Sequence, residues 1–386
     1  MNIYYWSPFL SKVATVKAVI NSAHSLIKFS SKKFNPTIIN CIGEWNDLSA
    51  DIKELGINTI NLKSPKNLYK SLPRFGFLKS RFSYIVIIFY TAFNLYHFLK
   101  NKKENDVVIL HLLTSLPLLL INIFNFKCKF ILRISGLPKL NLFRKYLWKK
   151  SNSKLTAITC PTMDTKYYLQ KNNIFAEQKL SLLRDPVVNI SEIQKLKNDK
   201  IEEELLNKRY FIAVGRLTDQ KNHNFLLNAF CELIKKNKDY SLIILGEGEL
   251  NKHLTEKINK LGLSKYIIML GYRDNVYKYY KNAVCFIQTS KWEDPGFVMI
   301  EAAASKLPIL TCDCKNGPKE FINNGERGYI YENFNYKKVN EKLFEFINDK
   351  NNKKSMLKNK ILKAFIETKK YTKFNHYLNL QKILID

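Results

Sequence analysis

The second half of the chain alternates short apolar runs with segments whose apolar residues recur every three or four positions. A nearly continuous apolar run is typical of a strand buried on both faces, as in a parallel sheet covered by helices. Such runs predict strands at Tyr210–Val214, Tyr240–Leu245, Tyr266–Leu270, Ala283–Gln288 and Leu307–Thr311. Between them, Phe225–Ile234 and Leu250–Leu261 have helical spacing. This βαβ repetition predicts a doubly wound α/β domain over residues 209–350.

The first half follows the same pattern less regularly. It predicts strands at Ile3–Trp6, Thr37–Cys41, Thr59–Leu62, Val107–Leu112, Phe130–Ile134 and Leu155–Cys160, and helices at Lys12–Lys28, Phe82–Lys100 and Leu142–Lys150. We therefore expect an α/β fold in which two doubly wound domains, residues 1–185 and 209–350, face a central cleft. Residues 186–208 are predicted to form a linker. Residues 351–386 are predicted to be C-terminal helices that pack on their own domain or cross back to the first.

Two apolar stretches of the first half resemble membrane spans. Tyr84–Leu99 is shorter than the roughly 20 residues that a spanning helix needs. Val107–Phe126 is long enough, but it contains His111, Pro117 and several other polar or helix-breaking residues. A buried strand followed by a short helix at Leu118–Phe124 explains the second stretch better, so neither stretch is expected to cross a membrane.

Cysteine use and the N-terminus indicate a cytoplasmic protein. The seven cysteines are odd in number and scattered, which is typical of reduced thiols rather than of a disulfide framework. Cys312 and Cys314 form a C-x-C without the second pair that a zinc site usually has. The N-terminal sequence MNIYYWSPFL lacks the basic region and continuous apolar core of a signal peptide.

The charge of the chain suggests an anionic partner. Its 386 residues hold 63 Lys and Arg against 33 Asp and Glu, a formal net charge of +30. An apolar share of 46% and an aromatic share of 13% exclude a disordered basic tail. Nucleic acid, acidic lipid headgroups and phosphorylated substrates remain possible partners. Because the lysines accompany a surplus of Asn and Ile, compositional drift is an alternative explanation for part of the excess.

The segment AVGRLTDQKN, residues 213–222, is the first candidate site. A predicted strand ends at Val214, Gly215 permits a tight turn, and Arg216 and Lys221 flank the start of a predicted helix. Two cations beside the free amides of a helix N-terminus suit a diphosphate. A solvated basic loop is the alternative explanation. Gly246, in the weaker G-x-G pattern LGEGE, predicts a close turn after the next strand.

The segment WEDPGFVMIEA, residues 292–302, holds two glutamates separated by seven residues. Glu293 lies in a loop after a predicted strand, and Glu301 lies in the first turns of the helix that begins near Phe297. A carboxylate in an otherwise apolar helix can accept hydrogen bonds from two vicinal hydroxyls, such as those of a ribose. The amides of Gly296, Phe297 and Val298 can face a phosphate or a sugar hydroxyl. Structural glutamates with satisfied hydrogen bonds are the alternative.

Taken together, the segments GRLTDQKN, LGEGEL, LGYRDNV, WEDPGFVMIEA and NGPKE resemble, in order and approximate spacing, the retaining GT-B glycosyltransferases of family four. The resemblance covers about Tyr210 to Tyr331. It implies two Rossmann-like domains, a nucleotide-sugar donor with UDP favoured, and a role in building bacterial capsule, lipopolysaccharide or glycolipid sugars. It further implies front-face attack with retention. The sequence offers no D-x-D between strands, so no metal or other cofactor is expected.

The resemblance also implies roles for particular residues. Arg216 and Lys221, with Gly215 and Gly246 nearby, match the positions that hold the donor diphosphate. Glu293 matches the glutamate that contacts the donor sugar, and Glu301 matches the one that binds the ribose. The remaining donor-site positions are Gly296, Phe297 and Val298 between the two glutamates, and Tyr272, Arg273 and Asn275 beside the nucleobase.

The first domain departs from the family pattern. Its first loop, Trp6 to Lys12, has no glycine, and only the amides of Ser11 or Lys12 are candidates to meet a donor phosphate. His111, at the end of a middle strand, is a candidate for the histidine that contacts the donor sugar in relatives, or else a packed core residue. Acceptor recognition is assigned to this domain without a transferable motif.

Residues 1–185 carry 28 Lys and Arg against 9 Asp and Glu. Basic clusters lie at Lys32–Lys33, Lys79/Arg81, Lys100–Lys103 and Arg144–Lys150, near the aromatic residues Phe75, Phe77, Phe82 and Tyr84. Cations beside aromatics suit an anionic bilayer, so we expect peripheral docking on the inner face of the cytoplasmic membrane, where a glycan or lipid-linked acceptor is reached. The alternatives are a catalytically silent GT-B scaffold and a nucleic-acid-binding protein, although no nucleic-acid-binding module is recognisable.

Overall fold

The computed structural model describes residues 1–10, 14–63, 68–73 and 77–385, with the backbone alone at residues 14 and 77–80. The chain divides into two compact units. The first comprises Met1–Val187 and Thr372–Asp386, and the second comprises Val188–Tyr371. The boundary therefore falls at the start of the predicted 186–208 linker. The rest of that segment belongs to the second unit and carries two helices, because Ile193 and Leu205 supply buried apolar contacts there.

The strands of the first unit are β1 (Asn2–Trp6), β2 (Asn35–Asn40), β3 (Asn58–Asn61), β4 (Val107–Leu110), β5 (Lys129–Arg133), β6 (Ala157–Cys160) and β7 (Leu180–Leu182). Those of the second are β8 (Arg209–Val214), β9 (Tyr240–Leu245), β10 (Ile267–Gly271), β11 (Cys285–Gln288), β12 (Ile309–Cys312) and β13 (Tyr329–Tyr331).

The helices are α1 (Ala14–Phe29), α2 (Ser49–Glu54), α3 (Leu68–Ser71), α4 (Phe77–Lys100), α5 (Ser115–Ile123), α6 (Leu142–Ser151), α7 (Met163–Lys171), α8 (Ile190–Leu196), α9 (Glu203–Leu206), α10 (His223–Lys236), α11 (Asn251–Lys260), α12 (Tyr277–Asn282), α13 (Phe297–Ala304), α14 (Pro318–Ile322), α15 (Tyr336–Asn352), α16 (Lys354–Glu367) and α17 (Lys373–Ile385).

Each unit is built on one parallel sheet. Among the described strands, the first sheet has the order β3-β2-β1-β4-β5-β6-β7 and the second has β10-β9-β8-β11-β12-β13. The pairings within these strands are parallel, as between β8 and β9 and between β8 and β11. Helices connect successive strands, so the predicted doubly wound α/β architecture is confirmed in both units.

The strand order reverses between β1 and β4 in the first sheet and between β8 and β11 in the second. In a parallel α/β sheet, ligands bind at such a reversal, outside the carboxyl ends of the strands. The strands β4 and β9 are apolar and buried along their whole length. Polar residues that follow β1, β4, β8 and β11 are therefore the ones placed where a ligand would bind.

The C-terminal helix α17 belongs to the first unit, so the chain crosses back. It packs against α1, where the rings of Phe29 and Phe374 lie 5.2 Å apart. His376 joins the contact, because Ser22 Oγ lies 2.8 Å from its Nε2. Helices α15 and α16 stay with the second unit.

The two stretches that resemble membrane spans fold differently from each other. Residues 107–126 form β4 and α5, as predicted. Helix α4 is longer than the sequence suggested, because it runs for 24 residues from Phe77 to Lys100. Within the part of the chain that the structure describes, Arg81–Lys100 is long and apolar enough to cross a membrane by length and composition.

Candidate functional site

The reversal point of the second sheet brings together two residues singled out from the sequence, Lys221 and Glu293. Lys221 ends a short 3-10 turn after β8, and Glu293 lies in the loop after β11. The ammonium Nζ of Lys221 lies 2.6 Å from Oε1 and 2.9 Å from Oε2 of Glu293. The loop after β8 thus supplies a cation, and the loop after β11 supplies a carboxylate.

Lys221 is held in place through its own backbone carbonyl group. Thr289 Oγ1 donates to the carbonyl oxygen of Lys221 at 3.2 Å, which ties the turn to the end of β11. The next residue, Asn222, adopts a left-handed conformation (φ 53°) and is the N-cap of α10. The aliphatic part of the Lys221 side chain crosses Gly215, where an added Cβ would lie 3.2 Å from Lys221 Cε.

Glu293 is only 3% exposed and accepts hydrogen bonds from two further side chains. Gln288 Nε2 donates to its Oε1 at 2.6 Å, and Ser290 Oγ donates to the same atom at 2.5 Å. A buried carboxylate needs such partners, since burial without them costs several kcal/mol. Neither Gln288 nor Ser290 was predicted from the sequence. The available signal was a polar pair that ends an otherwise apolar strand.

The NGPKE segment supports the Glu293 loop from the neighbouring strand. Asn316 is fully buried, and its Nδ2 donates to the Glu293 carbonyl oxygen at 3.1 Å and to Asp294 Oδ1 at 3.0 Å. Gly317 approaches the loop so closely that a Cβ there would lie 2.2 Å from the carbonyl oxygen of Pro295. This segment therefore positions the loop that carries Glu293.

Gly215 and Gly246 bring the loops after β8 and β9 into backbone contact. A Cβ at Gly246 would lie 1.9 Å from the carbonyl oxygen of Gly215. Leu217 N donates to Glu247 O at 2.8 Å across the same contact. The G-x-G pattern thus serves close loop packing, which sets the path of the chain through Arg216.

Arg216 projects from this packed turn into solvent. It is exposed, and none of the described residues forms a side-chain hydrogen bond or ion pair with its guanidinium. Lys221 is already paired with Glu293. Arg216 is therefore the cation of this loop that can bind an anion without first breaking a contact among the described residues.

Helix α13 begins directly after the Glu293 loop. Its N-cap, Gly296, has φ 90°, and a Cβ there would lie 3.4 Å from Glu293 Cγ. Phe297 and Val298 form the first turn, whose amides lack carbonyl partners within the helix. Glu301 lies one turn further on and is half-buried. Burial, and secondarily the negative charge of Glu301, raises the pKa of the Tyr277 hydroxyl.

The loop after β10 carries the three residues predicted to lie beside a nucleobase. Tyr272 is mostly exposed, whereas Arg273 Nε donates to Tyr279 Oη at 3.1 Å. Asn275 Nδ2 donates to Leu196 O and Asp199 Oδ2, each at 2.8 Å. The ring of Tyr272 is exposed, while Arg273 and Asn275 anchor the loop to neighbouring parts of the second unit.

A small cavity lies behind Lys221, between the ends of β8 and β11. Its lining includes His223 and Gln288, each with a buried side-chain atom, Nδ1 and Oε1 respectively, that has no hydrogen-bond partner among the described residues. Burial, and secondarily the charge of Lys221, lowers the pKa of His223 to about 4. His223 is therefore neutral near pH 7 and leaves the positive charge of this edge to Lys221 and Arg216.

His111 lies in the first unit, at the corresponding reversal point between β1 and β4. Its Nδ1 is 3.5 Å from Ser7 Oγ, and its backbone N donates to Trp6 O at 2.8 Å. The side chain is 1% exposed, and its Nε2 has no partner among the described residues. Burial, and secondarily Arg133, lowers its pKa well below the usual value. Ser11 and Lys12 of the adjacent loop lie outside the described residues, as do Phe75 and the side chains of Phe77 and Lys79.

Cysteines and acidic residues do not assemble a metal site in the described ranges. No group of three His, Cys, Asp or Glu side chains there could hold a metal ion. All seven cysteines are free thiols. A hydrogen bond with Cys312, together with burial, raises the pKa of Cys314.

The sequence and fold match one family of enzymes. The family model described as "Glycosyl transferases group 1" matches residues 194–363. An uncharacterized glycosyltransferase of Methanocaldococcus jannaschii is 30% identical over 329 residues, which make up 81% of this chain and 77% of that relative. The chain belongs to the group 1 glycosyltransferases, and its two parallel α/β units form the GT-B fold of that family.

Two further comparisons bear on substrates. N-acetylgalactosamine-N,N'-diacetylbacillosaminyl-diphospho-undecaprenol 4-alpha-N-acetylgalactosaminyltransferase of Campylobacter jejuni is 31% identical over 144 residues, 37% of this chain and 39% of that one. This match therefore spans less than half of the relative's length. The crystal structure of Anabaena HepE in complex with UDP has a TM-score of 0.77 at 12% identity and covers 100% of both chains.

Proposed function

We propose that this glycosyltransferase is a retaining enzyme that transfers a sugar from a UDP-sugar to a glycan or lipid-linked acceptor in bacterial surface polysaccharide synthesis. The observation that carries the proposal is the pairing of Lys221 with the buried Glu293 at the reversal point of the second sheet, 2.6 Å apart, beside the exposed Arg216. A diphosphate needs cations and free amides, and a sugar needs a fixed carboxylate. All of these lie at one edge of one sheet.

The chemistry follows from those residues. Breaking the bond between the anomeric carbon and the diphosphate leaves the electron pair on a phosphate oxygen. Arg216, Lys221 and the first amides of α13 stabilise that charge, and one such donor contributes about 10²–10³-fold to rate in well-studied enzymes. The acceptor hydroxyl attacks from the same face, and its proton passes to the departing phosphate oxygen. Glu293 orients the sugar and forms no covalent bond in this scheme.

Binding of the uridine is supported by HepE, which was crystallised with UDP. Glu301 is assigned to the ribose, and Tyr272 is the exposed aromatic residue beside a base. The two loop anchors, Arg273 and Asn275, would hold Tyr272 in place. The two cations replace a divalent metal in this proposal, so activity should persist after treatment with EDTA.

The acceptor is assigned to the first unit. The name of the Campylobacter jejuni relative describes an undecaprenol diphosphate acceptor, which resides in a membrane. Residues 1–185 of this chain hold 28 Lys and Arg against 9 Asp and Glu, and this excess suits anionic lipid headgroups. We accordingly place the enzyme on the inner face of the cytoplasmic membrane.

Hydrolysis of a panel of UDP- and GDP-sugars by the full chain tests the proposal. The expected result is slow hydrolysis of one UDP-sugar, lost in Lys221→Ala and in Glu293→Gln. Lys252→Ala, an exposed lysine of α11, serves as the matched control and should behave as wild type. No hydrolysis or transfer by a folded wild-type chain with any donor would instead favour a catalytically silent scaffold.

A further inference from the structure

Helix α4 exposes a continuous apolar stripe. Ile85, Phe89 and Phe93 are 66%, 78% and 70% exposed, and Phe82 lies one turn before them on the same side. These residues recur at intervals of three and four, so they occupy one face of the helix. Isolated apolar side chains on a surface are common, whereas a contiguous set marks a binding surface. We call these four residues the α4 stripe.

The stripe continues onto the neighbouring helix. Tyr96, further along α4, packs on Phe124 with a ring separation of 4.6 Å. Phe124 follows α5 directly, and both it and Ile123 are exposed. The apolar surface thus extends from the N-terminal half of α4 to the end of α5.

The opposite face of α4 belongs to the core of the first unit. Ile87, Leu95 and Leu99 are fully buried and form part of the cluster that includes the sheet. A helix that spans a bilayer would have to give up those contacts. Although Arg81–Lys100 is long enough to span, its packing allows only the exposed half to enter lipid. The helix therefore suits a position parallel to the membrane plane.

The sequence on both sides of the stripe is strongly cationic. Between residues 55 and 103 the chain has nine Lys and Arg and no Asp or Glu. Between residues 55 and 163 it has eighteen against Glu104 and Asp106. At the C-terminal end of the helix, Lys100 Nζ lies 5.8 Å from the centre of the Tyr96 ring, with its charge beside apolar surface. Apolar residues flanked by cations match the headgroup region of an anionic bilayer.

We infer that the α4 stripe inserts into the boundary between headgroups and acyl chains of an anionic membrane, with the surrounding lysines on the phosphates. The inference deepens the proposed function and rests on its membrane-resident acceptor. Docking then depends on the four apolar side chains of the α4 stripe as well as on charge. Binding should accordingly keep a component that salt does not remove.

Co-sedimentation with vesicles tests this docking. The vesicles are phosphatidylcholine alone or mixed equally with phosphatidylglycerol, and the proteins are wild type, Phe89→Gln/Phe93→Gln and the control Leu362→Gln/Ile366→Gln. The control replaces two exposed apolar residues one turn apart on α16 of the second unit. Wild type and control should bind the anionic vesicles, and the α4 variant should bind at least about tenfold more weakly, because two large apolar side chains no longer leave water.

A second measurement does not depend on how that variant folds. Phe89→Trp should show a blue-shifted emission on anionic vesicles and quenching by brominated acyl chains. Unchanged binding by the α4 variant, or a tryptophan that remains in water on bound vesicles, would overturn the inference. So would a wild-type dimer that ignores vesicles and dissociates in the α4 variant, since the stripe would then face a second copy.

The proposed enzymatic function can be tested independently of the membrane docking. Hydrolysis of a UDP-sugar in the absence of vesicles should be equal in wild type, the α4 variant and the control. If none of them hydrolyses a donor while wild type still binds vesicles through α4, the enzymatic proposal is wrong and the docking surface remains. If the wild type hydrolyses a UDP-sugar but does not bind vesicles, the docking inference is wrong and the enzymatic proposal remains.

Discussion

Lys221 Nζ lies 2.6 Å from Oε1 of Glu293, although the two residues are 72 positions apart and follow different strands of the second sheet. Gln288 and Ser290 donate to the same carboxylate. The charge of Glu293 is therefore compensated before any ligand arrives. A donor diphosphate adds its negative charge to an edge where Arg216 is exposed and has no side-chain partner among the described residues.

The hydrogen bond from Gln288 makes a specific kinetic prediction. Gln288→Glu keeps the size of the side chain but replaces the donor at 2.6 Å by a second carboxylate. Like charges at this distance repel and displace Glu293, or force one of them to bind a proton. We expect kcat to fall by at least about tenfold, equivalent to about 1.4 kcal/mol in the barrier, as measured by UDP-sugar turnover.

Gln170→Glu is the matched control, because Gln170 Nε2 donates to Glu177 Oε1 at 2.7 Å on the exposed surface of the first unit. That variant should turn over donor at the wild-type rate. Equal rates in all three proteins would show that Gln288 does not position Glu293.

The contact of Gly246 with Gly215 predicts a stability effect. In Gly246→Ala the new Cβ would lie 1.9 Å from the Gly215 carbonyl oxygen, so the two loops must separate. Gly262→Ala also places alanine at positive φ (67°), but with no atom within 4 Å of the Cβ. The control should lose about 1 kcal/mol from backbone strain alone. Thermal unfolding should show a clearly larger loss in Gly246→Ala, and equal losses would contradict the close packing.

Strand positions were predictable because buried parallel strands are apolar throughout. Tyr240–Leu245 matches β9 residue for residue, and the glutamates and cations at strand ends were found by the same logic. The three-residue strands β7 and β13 were not predicted, because so short a run of residues has no recognisable periodicity. The length of α4 was underestimated because Phe77–Arg81 lacks a strong apolar pattern.

Within the site, residue types indicated the chemistry but not the partners. The family resemblance implied that Lys221 binds a phosphate and that Glu293 binds a sugar, whereas the structure pairs the two side chains directly. The role of Asn316 was also hidden, because its contact with the Glu293 loop joins residues 23 positions apart. Such long-range hydrogen bonds depend on strand order, which local spacing does not specify.

Acidification should destabilise the first unit through His376. Its Nδ1 lies 2.7 Å from Arg184 O and its Nε2 lies 2.8 Å from Ser22 Oγ. The neutral ring therefore donates from Nδ1 to the Arg184 carbonyl oxygen and accepts at Nε2 from the Ser22 hydroxyl. Burial, and secondarily Arg133, lowers its pKa from 6.5 to about 3. Below pH 6.5, His376 is protonated in the unfolded chain but stays neutral in the folded chain. The free energy of unfolding therefore falls as the pH drops from 6.5 towards 3.

Denaturant unfolding at pH 7 and pH 4 measures this effect. Wild type should lose on the order of 3 kcal/mol more than His376→Gln between these two values. His253→Gln changes an exposed histidine on α11 and should follow wild type. The assignment to His376 is wrong if its variant loses as much stability on acidification as wild type does.

Calorimetric titration of UDP into the full chain tests the central claim most directly, that the edge formed by Arg216, Lys221 and Glu293 binds a nucleoside diphosphate. Wild type and Lys252→Ala should bind UDP equally. Arg216→Ala should bind at least about tenfold more weakly, because one charge-assisted contact to phosphate is worth about 1.5–3 kcal/mol. No heat of binding in wild type, or equal affinity in Arg216→Ala, would contradict the assignment of this edge as the donor site.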